Sequence, residues 1–487
     1  MLTSIRRAFA LAALGAFHPS AHALSFQECH LEHPLRVAAY PAECGFLAVP
    51  EERRQRGGRT IALRIARVAA VSSRKAPDPL FLIAGGPGGS TVDLYTTVAS
   101  AFARVNRDRD IVLLDQRGTG GSNPLHCAFD DTELLEAEPA RLRALAERCR
   151  DDLSRHADLA QYTTSVAVRD LDAVRAALGY ERINLYGISY GTRVAQHYLR
   201  RYPERTRAVI LDGVVAPDVV LPAGIALDAE AALAQVLARC RATPACTAQF
   251  GDPHRHYRAV RARVSAAPVQ LRVPDPRSGA LRELRFDRLQ LALVLRLQLY
   301  NAQSAAVLPL ALWQAAVHDD FRALGAQALL LQGSLRDQLA IGMHNSVVCA
   351  EDDPRLDIEP ADRARLESTF IGPTLHDAIR AMCSVWPRGP VDADFFEPVP
   401  SSRPVLLLSG GADPVTPPGY AERALRRLAN ARHLQVPGIG HGLLGVPCIE
   451  RILADFLAKP DPRALDARCL DRVRPAAFFV SPAGPGP

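Results

Sequence analysis

The feature that most constrains this chain is a serine flanked by glycines, Gly187-Ile188-Ser189-Tyr190-Gly191, between an apolar segment and an amphipathic one. Residues 182–188 have the composition of a buried strand, and residues 192–202 have the pattern of a helix. A direct turn from strand to helix strains the backbone of its central residue, and small neighbours let strand and helix cross closely. The motif therefore predicts that Ser189 is a nucleophile raised above a sheet.

Strands and helices alternate on both sides of this motif. We expect strands at residues 59–68, 79–84, 110–114, 182–188, 208–211, 404–408 and 433–436, and helices at 164–178, 192–202 and 421–428. Such alternation favours an α/β fold, with a mostly parallel central sheet and helices on both faces. Residues 218–400 are instead mainly helical, with one predicted hairpin between 269–273 and 281–286.

The chain has 487 residues, which exceeds one ordinary domain. We divide it into a signal peptide (1–23), the first part of the α/β core (24–217), an inserted helical cap (218–400) and the second part of the core (401–487). The signal peptide is indicated by Arg6 and Arg7, an apolar run over 8–17 and the small-x-small pattern Ala21-His22-Ala23. We therefore expect an exported, periplasmic or secreted protein without stable membrane insertion.

The cysteines agree with export, because their number is even, at ten. Their spacing suggests that neighbours pair, as 29–44, 127–149, 240–246, 349–383 and 448–469. No CxxC pair and no HExxH motif is present, so the sequence predicts no metal site and no cofactor.

The net charge of +6 does not indicate a nucleic-acid partner. Basic residues number 58, but only Lys75 and Lys459 are lysines, and no Lys/Arg run follows the pattern of a phosphate-binding surface. A monomer is the default expectation.

A glycine-rich loop, residues 85–90, follows the predicted strand at 79–84. Its position matches the loop that supplies one oxyanion donor in hydrolases with a nucleophile elbow. We expect the N–H of Gly86 to be that donor, since Pro87 has none, and the N–H of Tyr190 to be the other. A phosphate-binding loop is the rival, but it would end in Lys-Ser or Lys-Thr, and this loop lacks the lysine.

The acid and the base should follow later strands. Asp413 comes after the strand at 404–408 through a glycine-rich approach, and Thr416 is placed to donate to its carboxylate. The rival acid is Asp212, at the end of the strand at 208–211. His441 lies between glycines beyond the last strand. The order Ser189, Asp413, His441 fits a triad in which His441 removes the serine proton and Asp413 fixes its tautomer.

With these pieces placed, the chain resembles the serine aminopeptidases of the α/β-hydrolase group: the proline iminopeptidases and, more closely, the secreted tripeptidyl-aminopeptidase-like proteins of bacteria. The matching stretches are residues 85–90, 115–122, 187–191, 413–417 and 440–442. Ala84 stands where proline iminopeptidases usually have His, which weakens a proline-specific interpretation.

The resemblance implies a peptide substrate cleaved near its free N-terminus, and an acid in the cap that holds the substrate ammonium. The candidates are Glu351 and its neighbour Asp352; the alternative for this pair is a solvated acidic turn. Two other functions remain open: a lipase or esterase with the same triad, which would have an apolar cap groove, and a binding protein on a hydrolase scaffold. The intact set of Ser189, Asp413 and His441 disfavours the last.

Overall fold

The structure, a computed structural model, describes residues 24–55, 57–130, 133 and 138–485. The predicted signal peptide, residues 1–23, lies outside the described residues. The strands are β1 (Gln27–Glu32), β2 (Ala39–Pro50), β3 (Thr60–Val68), β4 (Leu80–Ile83), β5 (Ile111–Leu114), β6 (Ile183–Ile188), β7 (Thr206–Asp212), β8 (Val269–Pro274), β9 (Leu281–Phe286), β10 (Val405–Gly410), β11 (Ala431–Val436), β12 (Phe479–Ser481) and β13 (Gly484–Pro485).

The helices lie mainly between the sheet strands and in the segment between β7 and β10. They are α1 (Thr91–Val98), α2 (Ala103–Asn106), α3 (Pro139–Ser154), α4 (Thr164–Ala177), α5 (Tyr190–Arg201), α6 (Leu221–Ala242), α7 (Pro244–Phe250), α8 (Pro253–Ala266), α9 (Arg288–Gln298), α10 (Ala302–Ala305), α11 (Leu308–His318), α12 (Arg322–Gln338), α13 (Ile341–Glu351), α14 (Pro360–Glu367), α15 (Thr374–Cys383), α16 (Pro418–Leu425) and α17 (Ile449–Ala458).

The central sheet has nine strands among the described residues, in the order β1-β2-β3-β5-β4-β6-β7-β10-β11. The strands from β5 to β11 in that order are parallel, whereas β1, β2 and β3 pair antiparallel at one side. Every residue of β4 and β5 is buried, because helices cover both faces of the parallel part. The predicted α/β-hydrolase fold with a mostly parallel sheet is confirmed, and β1 and β2 are additions that the sequence pattern did not predict.

Between β7 and β10 the chain forms α6 to α15 and the β8–β9 hairpin, in the segment predicted as the cap. Several of these elements share a hydrophobic core of their own, which contains Leu237, Phe286 and Leu312. The later helices α13 and α15 pack instead into the core of the sheet, through Met343 and Ile379. The cap segment is thus held onto the sheet by its last helices.

Five disulfides join neighbouring cysteines. They are Cys29–Cys44, Cys127–Cys149, Cys240–Cys246, Cys349–Cys383 and Cys448–Cys469. These are the pairs that the spacing predicted. The Cys349–Cys383 bridge ties α13 to α15 at the place where the cap segment meets the sheet.

By length and composition alone, one helix of the described residues could cross a membrane, and this helix is α6. The apolar residues of α6, among them Ala229, Leu233 and Leu237, pack into the core of the cap segment, and Asp228 and Glu230 interrupt its apolar sequence. A helix at the centre of a packed domain has the same length and apolar composition.

Candidate active site

Ser189 occupies the turn between β6 and α5 and has a φ of 56°, in the left-handed region that non-glycine residues seldom adopt. Glycine is required on both sides of the turn. A Cβ at position 187 would lie 2.3 Å from the Gly191 carbonyl oxygen, and one at position 191 would lie 2.3 Å from that of Ile83. The sequence therefore folds into the tight strand-to-helix crossing that places Ser189 at the end of β6.

The glycine-rich loop lies directly against this serine. A Cβ at Gly85 would be 2.8 Å from the Ser189 Cβ, so only glycine permits the approach. Gly86 follows in the loop, and its N–H donates no hydrogen bond within the described residues. The N–H of Tyr190 opens α5, where the first turn of a helix has no intrahelical acceptor. Both predicted oxyanion donors therefore flank Ser189 without an internal backbone partner.

Asp413 lies just beyond the end of β10, and its side chain is buried. Its Oδ1 accepts the N–H groups of Val415 and Thr416, each at 2.8 Å, and its Oδ2 accepts the Thr416 hydroxyl at 2.8 Å. Burial acts to raise the pKa of this carboxyl, but the contact with His441 and these donors outweigh it, and the pKa lies below its usual value.

His441 follows β11, and hydrogen bonds to Asp413 and Tyr300 fix its orientation. Its Nδ1 donates to Asp413 Oδ2 at 2.8 Å, and its main-chain N–H donates to the Tyr300 carbonyl oxygen at 2.8 Å. Burial lowers the pKa of the imidazole, but the carboxylates of Asp413 and Asp212 outweigh it, so that the pKa lies above its usual value. Because Nδ1 is engaged with Asp413, Nε2 is the nitrogen left to accept a proton.

Ser189, Asp413 and His441 follow the carboxyl ends of β6, β10 and β11, which lie on the same side of the sheet because β6, β7, β10 and β11 are consecutive parallel neighbours. Gly442 is next to His441, and Ile188 is next to Ser189. A Cβ at Gly442 would lie 3.0 Å from Ile188 Cδ1, so the histidine loop lies against the turn that carries Ser189. The described contacts include no hydrogen bond between Ser189 Oγ and His441 Nε2. Such a bond is often long in a free enzyme and shortens when substrate binds.

The rival acid, Asp212, is fully buried but does not bond the imidazole of His441. Its carboxylate accepts the Leu443 N–H at 2.9 and 3.0 Å and the Tyr186 hydroxyl. Burial raises the pKa of Asp212 to about 6. Between the two acids weighed from sequence, the hydrogen bond of His441 goes to Asp413.

Glu351 and Asp352 end α13 inside the protein, which excludes the solvated acidic turn. Glu351 accepts the N–H of Thr164 at 2.7 Å and its hydroxyl at 3.0 Å, and Asp352 forms two bonds of 2.9 and 3.0 Å with Arg193. The hydroxyl of Thr164 also bonds the Tyr190 hydroxyl at 2.6 Å. Burial raises the pKa of Glu351 to about 7, although Arg193 acts to lower it. This buried network therefore lies beneath the helix that begins at Tyr190.

Two parts of the site were not predicted from the sequence: Tyr300 and the segment that contains Leu339 and Ala340. Tyr300, just after α9, places its ring edge-on to His441 with 4.9 Å between the centroids. The backbone of Leu339 bridges Gly89, and Ala340 donates to Gly88 at 3.0 Å, so the cap segment covers the glycine-rich loop. No local motif marks either contact, because both join residues far apart in the sequence.

The fold and this site define a serine hydrolase. The family model described as alpha/beta hydrolase fold matches residues 78–446, and the chain belongs to that family. The motif-based resemblance to its aminopeptidases is confirmed by two curated relatives. The serine protease Hip1 of Mycobacterium tuberculosis is 26% identical over 482 residues, covering 91% of this chain and 90% of the relative. A tripeptidyl aminopeptidase of Streptomyces coelicolor is 30% identical over 223 residues, covering 42% of this chain and 40% of the relative.

Among solved structures, a proline iminopeptidase of Mycobacterium smegmatis aligns with 86% of this chain and 99% of its own length. The sequence identity is 16% and the TM-score is 0.40.

Proposed function

We propose that this protein is an exported serine aminopeptidase that hydrolyses peptide bonds near the free N-terminus of peptides. The observation that carries the proposal is the 2.8 Å bond between His441 and Asp413, at the sheet edge where Ser189 adopts its positive φ. Peptides are favoured as substrates because the curated relatives are named as a serine protease and a tripeptidyl aminopeptidase.

The proposed reaction begins with attack of Ser189 Oγ on the peptide carbonyl carbon, while His441 Nε2 takes the Oγ proton. The N–H groups of Gly86 and Tyr190 stabilise the oxyanion that forms. His441 then gives its proton to the leaving amine, and an acyl-enzyme ester remains on Ser189. A water molecule then hydrolyses the ester. His441 takes a proton from this water, the resulting hydroxide attacks the ester carbonyl carbon, and the proton returns to Ser189 Oγ as the acid product leaves.

Capture of the substrate ammonium is assigned to Glu351. The buried network holds two carboxylates but one guanidinium, and Asp352 occupies Arg193 in a two-pronged bond while Glu351 lies 3.5 Å from it. An ammonium ion near Glu351 would supply the second positive charge, and it would favour the ionised form of a carboxyl whose pKa burial raises. Asp352 then serves to neutralise Arg193.

Export is supported by the predicted signal peptide at residues 1–23 and by the five disulfides, which persist in oxidising compartments. Mass mapping of the protein purified from culture medium or periplasm should find a mature chain that begins near residue 24, with all ten cysteines oxidised. A retained N-terminus or free thiols would contradict export.

The decisive experiment compares peptides with free and acetylated N-termini, together with aryl esters. The wild type should cleave free peptides much faster than acetylated ones. Ser189→Ala should reduce the rate by several orders of magnitude, whereas the matched change Ser73→Ala, at an exposed serine far from the site in sequence, should not. Equal cleavage of free and blocked peptides would contradict the aminopeptidase, and activity on esters alone would assign an esterase.

A further inference from the structure

The C-terminal end of α9 lies against the histidine loop. Tyr300 contacts His441 through both its carbonyl oxygen and its ring. Gly440 meets the same segment so closely that a Cβ there would be 2.4 Å from the Leu299 carbonyl oxygen. Residues 299 and 300, which follow the last turn of α9, therefore form a wall of the candidate active site.

Arg296 lies in that last turn, four residues before Tyr300. Arg296 therefore comes from the helical turn that leads directly into Tyr300 and the histidine loop. Its Nε is buried without a hydrogen-bond partner, and its guanidinium forms no ion pair within the described residues. A buried donor without an acceptor is costly, and such groups in a native protein mark places where a ligand or water completes the bonding.

The charge of Arg296 acts on two histidines, His344 and His441. Burial lowers the pKa of His344, and the Arg296 guanidinium lowers it further; the same guanidinium also acts to lower the pKa of His441. His344 Nδ1 donates to the Pro87 carbonyl oxygen at 3.3 Å, which places it against the glycine-rich loop. His344 thus lies beside the loop that adjoins Ser189, and the charge of Arg296 acts both on it and on the base, His441.

We propose that Arg296 binds a carboxylate of the substrate and gives the enzyme a preference for peptides that carry a negative charge near the scissile bond. The planar guanidinium offers paired N–H donors that match the two oxygens of a carboxylate. No acid of the described residues already occupies it. The inference rests on the proposed peptidase function, and the carboxylate comes either from an acidic side chain or from the C-terminus of a short peptide.

A structural role predicts a different outcome. A cation in the last turn of a helix interacts favourably with the helix dipole, which adds stability but confers no preference among substrates. The charge of the substrate therefore separates the two roles.

The test uses the full mature protein and free-amine peptides with Glu, Gln or Lys next to the scissile bond, each with a free and an amidated C-terminus. Arg296→Met should lower kcat/KM by about ten- to hundredfold for peptides that carry the recognised carboxylate, the range for a hydrogen bond to a charged group. Neutral peptides should change by less than about threefold. If kcat/KM falls for Glu peptides but not for Gln peptides, Arg296 binds an acidic side chain. If it falls for peptides with a free C-terminus but not for amidated ones, Arg296 binds the C-terminal carboxylate.

Arg296→Lys keeps the charge without the paired donors and should recover part of the preference. Arg288→Met, at an exposed position at the start of the same helix, is the matched control and should change neither the preference nor the rate. Unfolding midpoints of all variants separate a folding defect from a change in recognition.

An equal loss on every peptide in a folded Arg296→Met, or a wild type indifferent to substrate charge, would overturn the inference while leaving the aminopeptidase intact. Absence of any Ser189-dependent peptide cleavage would instead overturn the proposed function itself.

Discussion

The carbonyl oxygen of Asp212 accepts the main-chain N–H of Ser189 at 2.9 Å. The side chain of the same residue accepts the N–H of Leu443, two residues beyond His441. Gly213 follows, and a Cβ there would lie 3.1 Å from His441 Cε1. One residue at the end of β7 thus fastens the turn that carries the nucleophile to the loop that carries the base.

Asp212→Asn should remove a pH dependence of stability. Burial raises the pKa of Asp212 to about 6 in the folded protein, above its ordinary value of about 3.9 when unfolded. The folded state then holds more protons between those values, so this residue's contribution to the free energy of unfolding falls as pH rises, by about 3 kcal/mol between pH ~4 and ~6. Chemical unfolding of wild type and variant across this range measures the difference.

Tyr186→Phe is the matched control for that experiment. It removes the hydroxyl that favours the ionised carboxylate of Asp212. The decline in the free energy of unfolding should therefore extend to higher pH than in the wild type. Curves for wild type and Asp212→Asn that run parallel over the whole range would contradict the assignment.

The sequence was most informative where function depends on a short local pattern. Ser189 is set by flanking glycines and His441 by a glycine-bounded loop after a strand, so both could be placed from sequence. The contact of Tyr300 with His441 could not, because it forms where two segments about 140 residues apart in sequence fold together. Strand β2 was missed because its buried and exposed residues do not alternate regularly; its position depends on pairing with β3 and on the Cys29–Cys44 bridge.

Thr416→Val should impair the triad by weakening the support of Asp413. The Thr416 hydroxyl donates to Asp413 Oδ2 at 2.8 Å and lies 3.1 Å from His441 Nδ1. Loss of a hydrogen bond to a charged group costs about 1.5–3 kcal/mol, so kcat/KM should fall by about ten- to hundredfold. Thr416→Ser keeps the hydroxyl and should recover most of the rate, and a valine variant as active as the serine variant would exclude this role.

Removal of a single disulfide should destabilise the protein more when the disulfide closes a longer loop, in proportion to the logarithm of the loop length. The Cys349–Cys383 bridge spans 34 residues and Cys240–Cys246 spans 6. Loop-closure entropy predicts losses of about 4 and about 2 kcal/mol for the paired Cys→Ala variants. Denaturant unfolding measures both. Because Cys349 lies in the last turn of α13 near Glu351, the first variant should also raise KM, and an unchanged KM would show that α13 is held in place without the bridge.

Glu351→Gln should abolish the discrimination between free and acetylated peptides. The amide keeps the size of the side chain and an acceptor for Thr164, but it removes the negative charge that attracts the substrate ammonium. We expect kcat/KM for free peptides to fall about ten- to hundredfold, while acetylated peptides are cleaved at the low wild-type rate. Asp352→Asn is the matched control: it also removes a buried charge beside Arg193, so it should lower the unfolding midpoint but preserve the preference for free amines. If Asp352→Asn loses that preference and Glu351→Gln retains it, the ammonium is bound by Asp352, and Glu351 is only a counter-ion of Arg193.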